Sequence, residues 1–169
     1  QTPLAWCVDN IILSTKNIWI LYRYALSQTD EIRDQVVQGV SHGTGSREFT
    51  SEGMDIISSS SGSDEHSEHH FIVRDLNHSG FNKLKASFYI KEYSGDCRIG
   101  VGMSYGMYAH YYRITNLDKM EINSPDFYTQ YVIELDIDKT SSINNFHVFA
   151  EAKNGGSINV VFTSMWLEE

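Results

Sequence analysis

The sequence is short of cysteine, of basic charge and of long apolar runs, and each shortage removes a class of protein. Its two cysteines, Cys7 and Cys97, are too few for a disulfide framework. One bridge and two separate thiols both stay open, and with them the compartment. Thirteen Lys and Arg face 22 Asp and Glu, for a formal net charge of −9. A nucleic-acid binder normally carries a basic stripe, because neutralising phosphate supplies much of its affinity. No such cluster occurs, so nucleic acid is not an expected partner. The same acidity works against charge-driven adsorption to an anionic membrane. No stretch approaches the roughly 20 apolar residues of a spanning helix. The longest apolar passage, 18–25, is broken by Arg23, and membrane insertion is not expected. A secretory leader is missing too, and the first residue is Gln. The chain therefore reads as a matured protein or as a piece of a longer one.

What is present points to strands. The 169 residues are 41% hydrophobic and 21% charged, enough for one domain with a buried core and a short appendage. Residues 83–93 (KLKASFYIKEY) alternate, with Leu84, Ala86, Phe88 and Ile90 on one side and Lys85, Ser87, Tyr89 and Lys91 on the other. Residues 128–138 do the same, setting Tyr131, Ile133, Leu135 and Ile137 against Gln130, Glu134 and Asp136. A period of two places one face on a core and the other in water or against a ligand. In 145–152 the core set is Phe146, Val148 and Ala150; in 157–167 it is Ile158, Val160, Phe162 and Trp166. Gly155-Gly156 is expected to join these last two strands as a tight hairpin. Shorter strands fit at 36–40, 54–58, 69–75, 98–103 and 107–115.

About nine strands with regular turn signals predict an all-β antiparallel sandwich over 36–169. Helical patterns of the kind that parallel α/β units need are not visible. The polar run 58–67 (SSSSGSDEHS) reads as a mobile loop or hairpin tip. Residues 1–35 read as an N-terminal connector. Within it, 16–26 (KNIWILYRYAL) favours a strand by composition. Ile18, Leu21, Tyr22, Ala25, Ile32 and Val36 equally suit one face of a helix. An extended connector with one strand is the expectation.

Metal-capable side chains are densest at Asp64-Glu65-His66-Ser67-Glu68-His69-His70. On a strand, His66, Glu68 and His70 share a face, and imidazoles with a carboxylate hold zinc or nickel. A solvated loop leading into a strand is the plainer reading, because no second cluster offers a fourth ligand. Glu52, Asp55, Asp75, Asp136, Asp138, Glu168 and Glu169 are scattered oxygen donors for calcium, without a contiguous loop to assemble them. Catalysis finds no signature. Neither a nucleophile elbow nor a phosphate-cradling glycine motif is present, and Gly100-Val101-Gly102 sits inside a strand with no helix after it. No catalytic residue is assigned, and an enzyme is not expected.

The aromatics carry more. Residues 103–113 read MSYGMYAHYYR. A phenol ring stacks on the apolar face of a sugar with its hydroxyl turned outward, and His or Arg reads sugar hydroxyls by directed hydrogen bonds. The candidate ligand-binding residues are Tyr105, Tyr108, His110, Tyr112 and Arg113, gathered around Gly106. Alternation sets Tyr108, His110 and Tyr112 on one face and Tyr111 with Arg113 on the other, so part of this set belongs to the core.

The order of segments resembles the jelly-roll carbohydrate-binding modules. The echoes are VVQGVS, FIVRDL, LKASFYIKEYSGDCRIGVG, YTQYVIELDI and the closing INNFHVFAEAKNGGSINVVFTSMWLEE. VVQGVSHGTG is similar to the opening of such modules in tail and baseplate proteins of phages that infect Gram-positive bacteria. KNIWILYRYA is similar to the connector text of those proteins. The resemblance covers about residues 35–169 and is one of pattern. It implies a jelly roll that attaches to a host-surface polysaccharide, with other virion or tail proteins as partners and a virion or extracellular location. It also implies a structural Ca2+ away from the sugar. Targeting of an appended secreted glycosidase and a purely structural, protein-binding sandwich are the alternatives.

Overall fold

Strands that alternate over their whole length prefer to pair, and this chain pairs almost all of them into one antiparallel ribbon. The computed structural model describes residues 18–23, 36–62, 65–115 and 128–169; nothing is said of the side chains of 23, 36–41 and 112–115. The described residues hold nine strands and no helix. They are β1 (Ile18–Arg23), β2 (Val36–His42), β3 (Thr44–Phe49), β4 (Met54–Ser59), β5 (His66–Asn77), β6 (Lys83–Tyr105), β7 (Tyr108–Thr115), β8 (Tyr131–Asp136) and β9 (Ile143–Glu168).

The spine is the long pair β6–β9, joined from Lys83↔Glu168 to Ser104↔Asn145 with three shifts of register along the way. On the far edge of β9 run β5, then β4, then β1. Strands β2 and β3 extend that edge outward. On the far edge of β6 run β7 and β8. The ribbon is bent double across its middle. The bend crosses Gly43 (φ 75°), Ser60 and Glu65, Asn154 and Gly155 (φ 51° and 86°), and Gly95 (φ 75°). Hydrogen bonds from Ser60 N to Gly156 O (2.9 Å) and from Asn154 N to Glu65 O (3.0 Å) fasten the bend. A front layer results from β2, β5, β7, the first half of β9 and the second half of β6. A back layer results from β1, β3, β4, β8 and the remaining halves. Together they are an all-β antiparallel sandwich.

The core lies between the layers. It takes Leu84, Ala86, Phe88 and Ile90, and Ile133, Leu135 and Ile137 with Tyr131 packed beside them, as alternation predicts. Phe146, Val148 and Ala150 meet Ile158, Val160 and Phe162 across it. Each fully buried Val, Leu, Ile or Phe among them contributes about 1.5–3 kcal/mol, and the alanines less. The strand expected within 16–26 is Ile18–Arg23, and its Leu21 and Tyr22 enter the same core.

Two expectations fail for reasons of register. Gly155-Gly156 is not a hairpin, because both halves of β9 pair with β6 rather than with each other. A Cβ at Gly156 would lie 2.6 Å from Asp96 O, so the glycine lets two backbones pass closely where both strands bend. Trp166 does not join Ile158, Val160 and Phe162. A register shift between Ser87 and Phe88 inserts one residue of β9, and such a bulge reverses the facing of all that follows. Met165 and Leu167 therefore fill the core, and Trp166 stands opposite Lys85 on the other side. Cys97 is a buried free thiol donating to the carbonyls of Ser94 and Ser157 (3.3 and 3.2 Å). Cys7 lies outside the described residues.

Candidate functional site

The outer face of the front layer should be wet, and it is not. Cross-strand register sets rows across it: Glu68–Glu151–Arg98, His70–Phe149–Gly100, Ile72–His147–Gly102–Tyr111, and Asn145–Ser104. His70 and Phe149 are 0% exposed and His147 and Glu151 3%, although all four face away from the core. Two glycines account for this. A Cβ at Gly100 would stand 2.1 Å from Phe149 Cζ, and one at Gly102 would stand 1.8 Å from Tyr111 Cδ1. Both rings thus lie down over bare β6 backbone, the close approach that glycine inside a strand permits. Phe149 stacks on His70 with centroids 4.5 Å apart and 11° between planes. Tyr111, half-buried, stands edge-on to Phe149, His147 and His70 at 5.4, 5.5 and 5.9 Å.

A polar chain runs beneath these rings. Burial, with His70 and Arg74 adding to it, pushes His147 down to about 3, so its ring is neutral. His70 Nε2 donates to Glu68 Oε1 at 2.5 Å. His70 Nδ1 meets His147 Nδ1 at 3.1 Å, and His147 Nε2 lies 2.8 Å from the Ser104 hydroxyl, one nitrogen of the neutral His147 ring donating and the other accepting. Asn145 Nδ2 donates to the same Ser104 oxygen at 3.4 Å. Because both ring nitrogens of His70 and of His147 have a partner, the platform under Tyr111 is rigid.

At the end of the face nearest the bend, two carboxylates meet. Glu68 and Glu151 are direct cross-strand partners and hydrogen-bond one another. Burial and then the Glu68 carboxylate hold Glu151 above the usual range. Burial acts on Glu68 in the same direction, but hydrogen bonds from His70, Glu151 and His66 outweigh it and keep Glu68 ionised. Arg98 Nη1 donates to Glu151 Oε1 at 2.5 Å. His66 Nε2 lies 3.2 Å from Glu68 Oε2 and 3.6 Å from Glu151 Oε2. The strand β5 starts at His66, so 66–70 is not a loop.

The residues chosen from sequence separate. Tyr105 and Tyr108 flank the turn at Gly106 (φ 50°), with rings stacked at 4.8 Å and 28°. The Tyr108 hydroxyl donates to Asp138 Oδ2 at 2.9 Å. His110 is exposed on β7 opposite Met103. Tyr112 and Arg113 pair with Val101 and Gly100, and their side chains lie outside what is described. Sequence reasoning passed over Tyr111, His147 and Phe149. The available signal was Gly100 and Gly102, two glycines at alternate positions of one strand. The carboxylates considered for calcium sit at separate places, several of them at lysines. Glu52 and Asp55 lie at Lys91, Asp136 at Lys83, Glu168 at Lys85, and Asp138 at Tyr108 and Thr140.

No protein-family model and no curated sequence matches this chain. Solved structures do. A family 11 carbohydrate-binding module from Clostridium thermocellum, in complex with a β-1,3-1,4-mixed-linked tetrasaccharide, is similar at 16% identity and a TM-score of 0.51 over 91% of this chain and 96% of that one. TmCBM27, a module with specific mannan recognition, is similar at 9% identity and 0.54, over 91% and 99%. CBM28, a module specific for non-crystalline cellulose, is similar at 16% identity and 0.51, over 83% and 90%. At these identities the likeness concerns the backbone, and the chain has the β-sandwich fold that these carbohydrate-binding modules share.

Proposed function

We propose that this protein binds a polysaccharide without cleaving it, through the outer face of the front layer. The observation that carries the reading is the half-exposed Tyr111 ring, laid over Gly102 and backed by Phe149, His70 and His147. A rigid aromatic ring offers an apolar plane for the C–H face of a sugar ring. Ser104 and Asn145 beside it supply hydroxyl and amide groups for directed hydrogen bonds. The paired carboxylates argue against hydrolysis. Glu68 and Glu151 touch, whereas glycosidases hold theirs about 5–10 Å apart on either side of the scissile bond.

The stacked Tyr105–Tyr108 pair, with His110 beside it, is a second surface for the same function, favoured by its position at an open turn. Attachment of a phage tail or baseplate to a Gram-positive host is the finer form of this reading and rests on the order of sequence segments. The fold agrees as well with targeting of an appended glycosidase. Affinity electrophoresis against Gram-positive cell-wall polysaccharide, mannan, mixed-linked β-glucan and cellulose tests the proposal. Tyr111→Ala should weaken binding several-fold, as loss of about 1 kcal/mol of ring stacking implies, with the thermal melt little changed. Loss of binding in Tyr108→Ala instead moves the site to the turn. No retention on any glycan, or product release that depends on Glu68 or Glu151, overturns the reading.

A further inference from the structure

We propose that His66, Glu68 and Glu151 form a binding site for one divalent metal ion of the zinc class, at the bend end of the front layer. The proposal does not depend on the glycan reading. Three donor atoms, His66 Nε2 and one carboxylate oxygen from each glutamate, lie within 4.8 Å of one another. They come from two hydrogen-bonded strands, with Glu68 opposite Glu151 and His66 one step along β5 on the same face. The spacing fits a small ion. Bonds of about 2.1 Å at tetrahedral angles put neighbouring ligand atoms about 3.4 Å apart. His66 Nε2 stands 3.2 Å from Glu68 Oε2 and 3.6 Å from Glu151 Oε2.

The outer contacts have the form that metal sites use. Each glutamate divides its two oxygens. Oε1 of Glu68 is held by His70 Nε2 and Oε1 of Glu151 by Arg98 Nη1, both at 2.5 Å, while both Oε2 atoms turn toward His66. Groups that hold the far side of a ligand fix its orientation and tune its affinity. The His42 ring stacks on His66 at 4.7 Å and 26°, limiting how far that imidazole swings. A fourth position remains for water or an incoming donor. One imidazole with two carboxylates suits zinc and its neighbours in the first transition row. Calcium, which takes six to eight oxygens, is a poor fit for three donors of which one is nitrogen.

The test uses the whole untagged chain, stripped with a chelator and then titrated by calorimetry with ZnCl2, and separately with CaCl2. The expected result is one zinc per chain and a raised melting temperature, with no heat from calcium at matched concentration. Glu68→Gln and His66→Ala should each lower zinc affinity by about ten-fold or more. His66 is on the rim and half-exposed, so its variant keeps the test valid if the buried Glu151→Gln fails to fold. Two results overturn the proposal: no stoichiometric zinc binding, or zinc binding that persists in Glu68→Gln and disappears in His42→Ala, which marks a surface histidine pair.

Discussion

Tyr111 lies where a side chain on Gly102 would have to stand, its Cδ1 only 1.8 Å from the Cβ position of that glycine. Phe149 has the same relation to Gly100, at 2.1 Å. The two rings differ in what surrounds them. Phe149 is wholly buried, while Tyr111 borders open surface.

That difference predicts unequal costs for one added methyl group. In Gly102→Ala, Tyr111 swings outward, and stability should fall by no more than about 1 kcal/mol while glycan binding is lost with the ring's position. In Gly100→Ala, Phe149 has nowhere to go, and overpacking should cost about 1–3 kcal/mol. Neither glycine has the positive φ that would add backbone strain. Urea denaturation of both variants, beside glycan retention, checks the order. Equal costs would mean that Tyr111 is held as tightly as Phe149.

Acid should loosen this face through His147. Its pKa falls from an ordinary 6.5 to about 3 in the fold, because burial and the charges of His70 and Arg74 disfavour protonation against the opposing pull of Glu68. Between these values the unfolded chain binds the extra proton, so stability is complete above about pH 6.5 and declines as pH drops toward 3. The slope reaches about 1.4 kcal/mol per pH unit for one proton. His69, also lowered by burial, adds in the same sense. Glu151, held up, works in the opposite sense, losing its contribution as pH rises through its folded value. Denaturation midpoints from pH 7 to pH 4 should fall steeply in the parent and less steeply in His147→Gln. Parallel curves would refute the assignment to His147.

Cys97 should be silent toward thiol reagents. Burial lifts its pKa to about 11 even though its bonds to Ser157 and Ser94 pull the other way, so little thiolate exists near neutrality. In a Cys7→Ser background, a chromogenic disulfide reagent at pH 8 should detect no rapid thiol until denaturant is added. Rapid labelling of the native protein would show that the bend between Ser94 and Ser157 opens readily.

Alternation was enough to find most strands and half of the core. Leu84 through Ile90 and Tyr131 through Ile137 each bury the set that a period of two selects, because a strand's facing is a local property of the backbone. Facing fails at the first bulge, as Trp166 demonstrates: one extra residue at the register shift reverses it, and no local signal marks where the partner strand will absorb that residue. The Gly155-Gly156 pair illustrates the same limit. Its composition permits a turn, but whether a strand turns back or bends on depends on what stays paired beside it, here β6.

The outer face belongs wholly to tertiary structure. His66, Glu68 and His70 stand together in the sequence at the spacing that shares a face. Their completing partner, Glu151, lies 83 residues beyond Glu68 and becomes a neighbour only when β9 pairs with β5. Tyr111 likewise read as an ordinary alternate position until pairing set it beside Gly102 and His147. Periodicity says which side of a strand a residue takes. Only the folded ribbon decides which distant side chains share that side, because long-range pairing, and not local propensity, sets the register that brings them together.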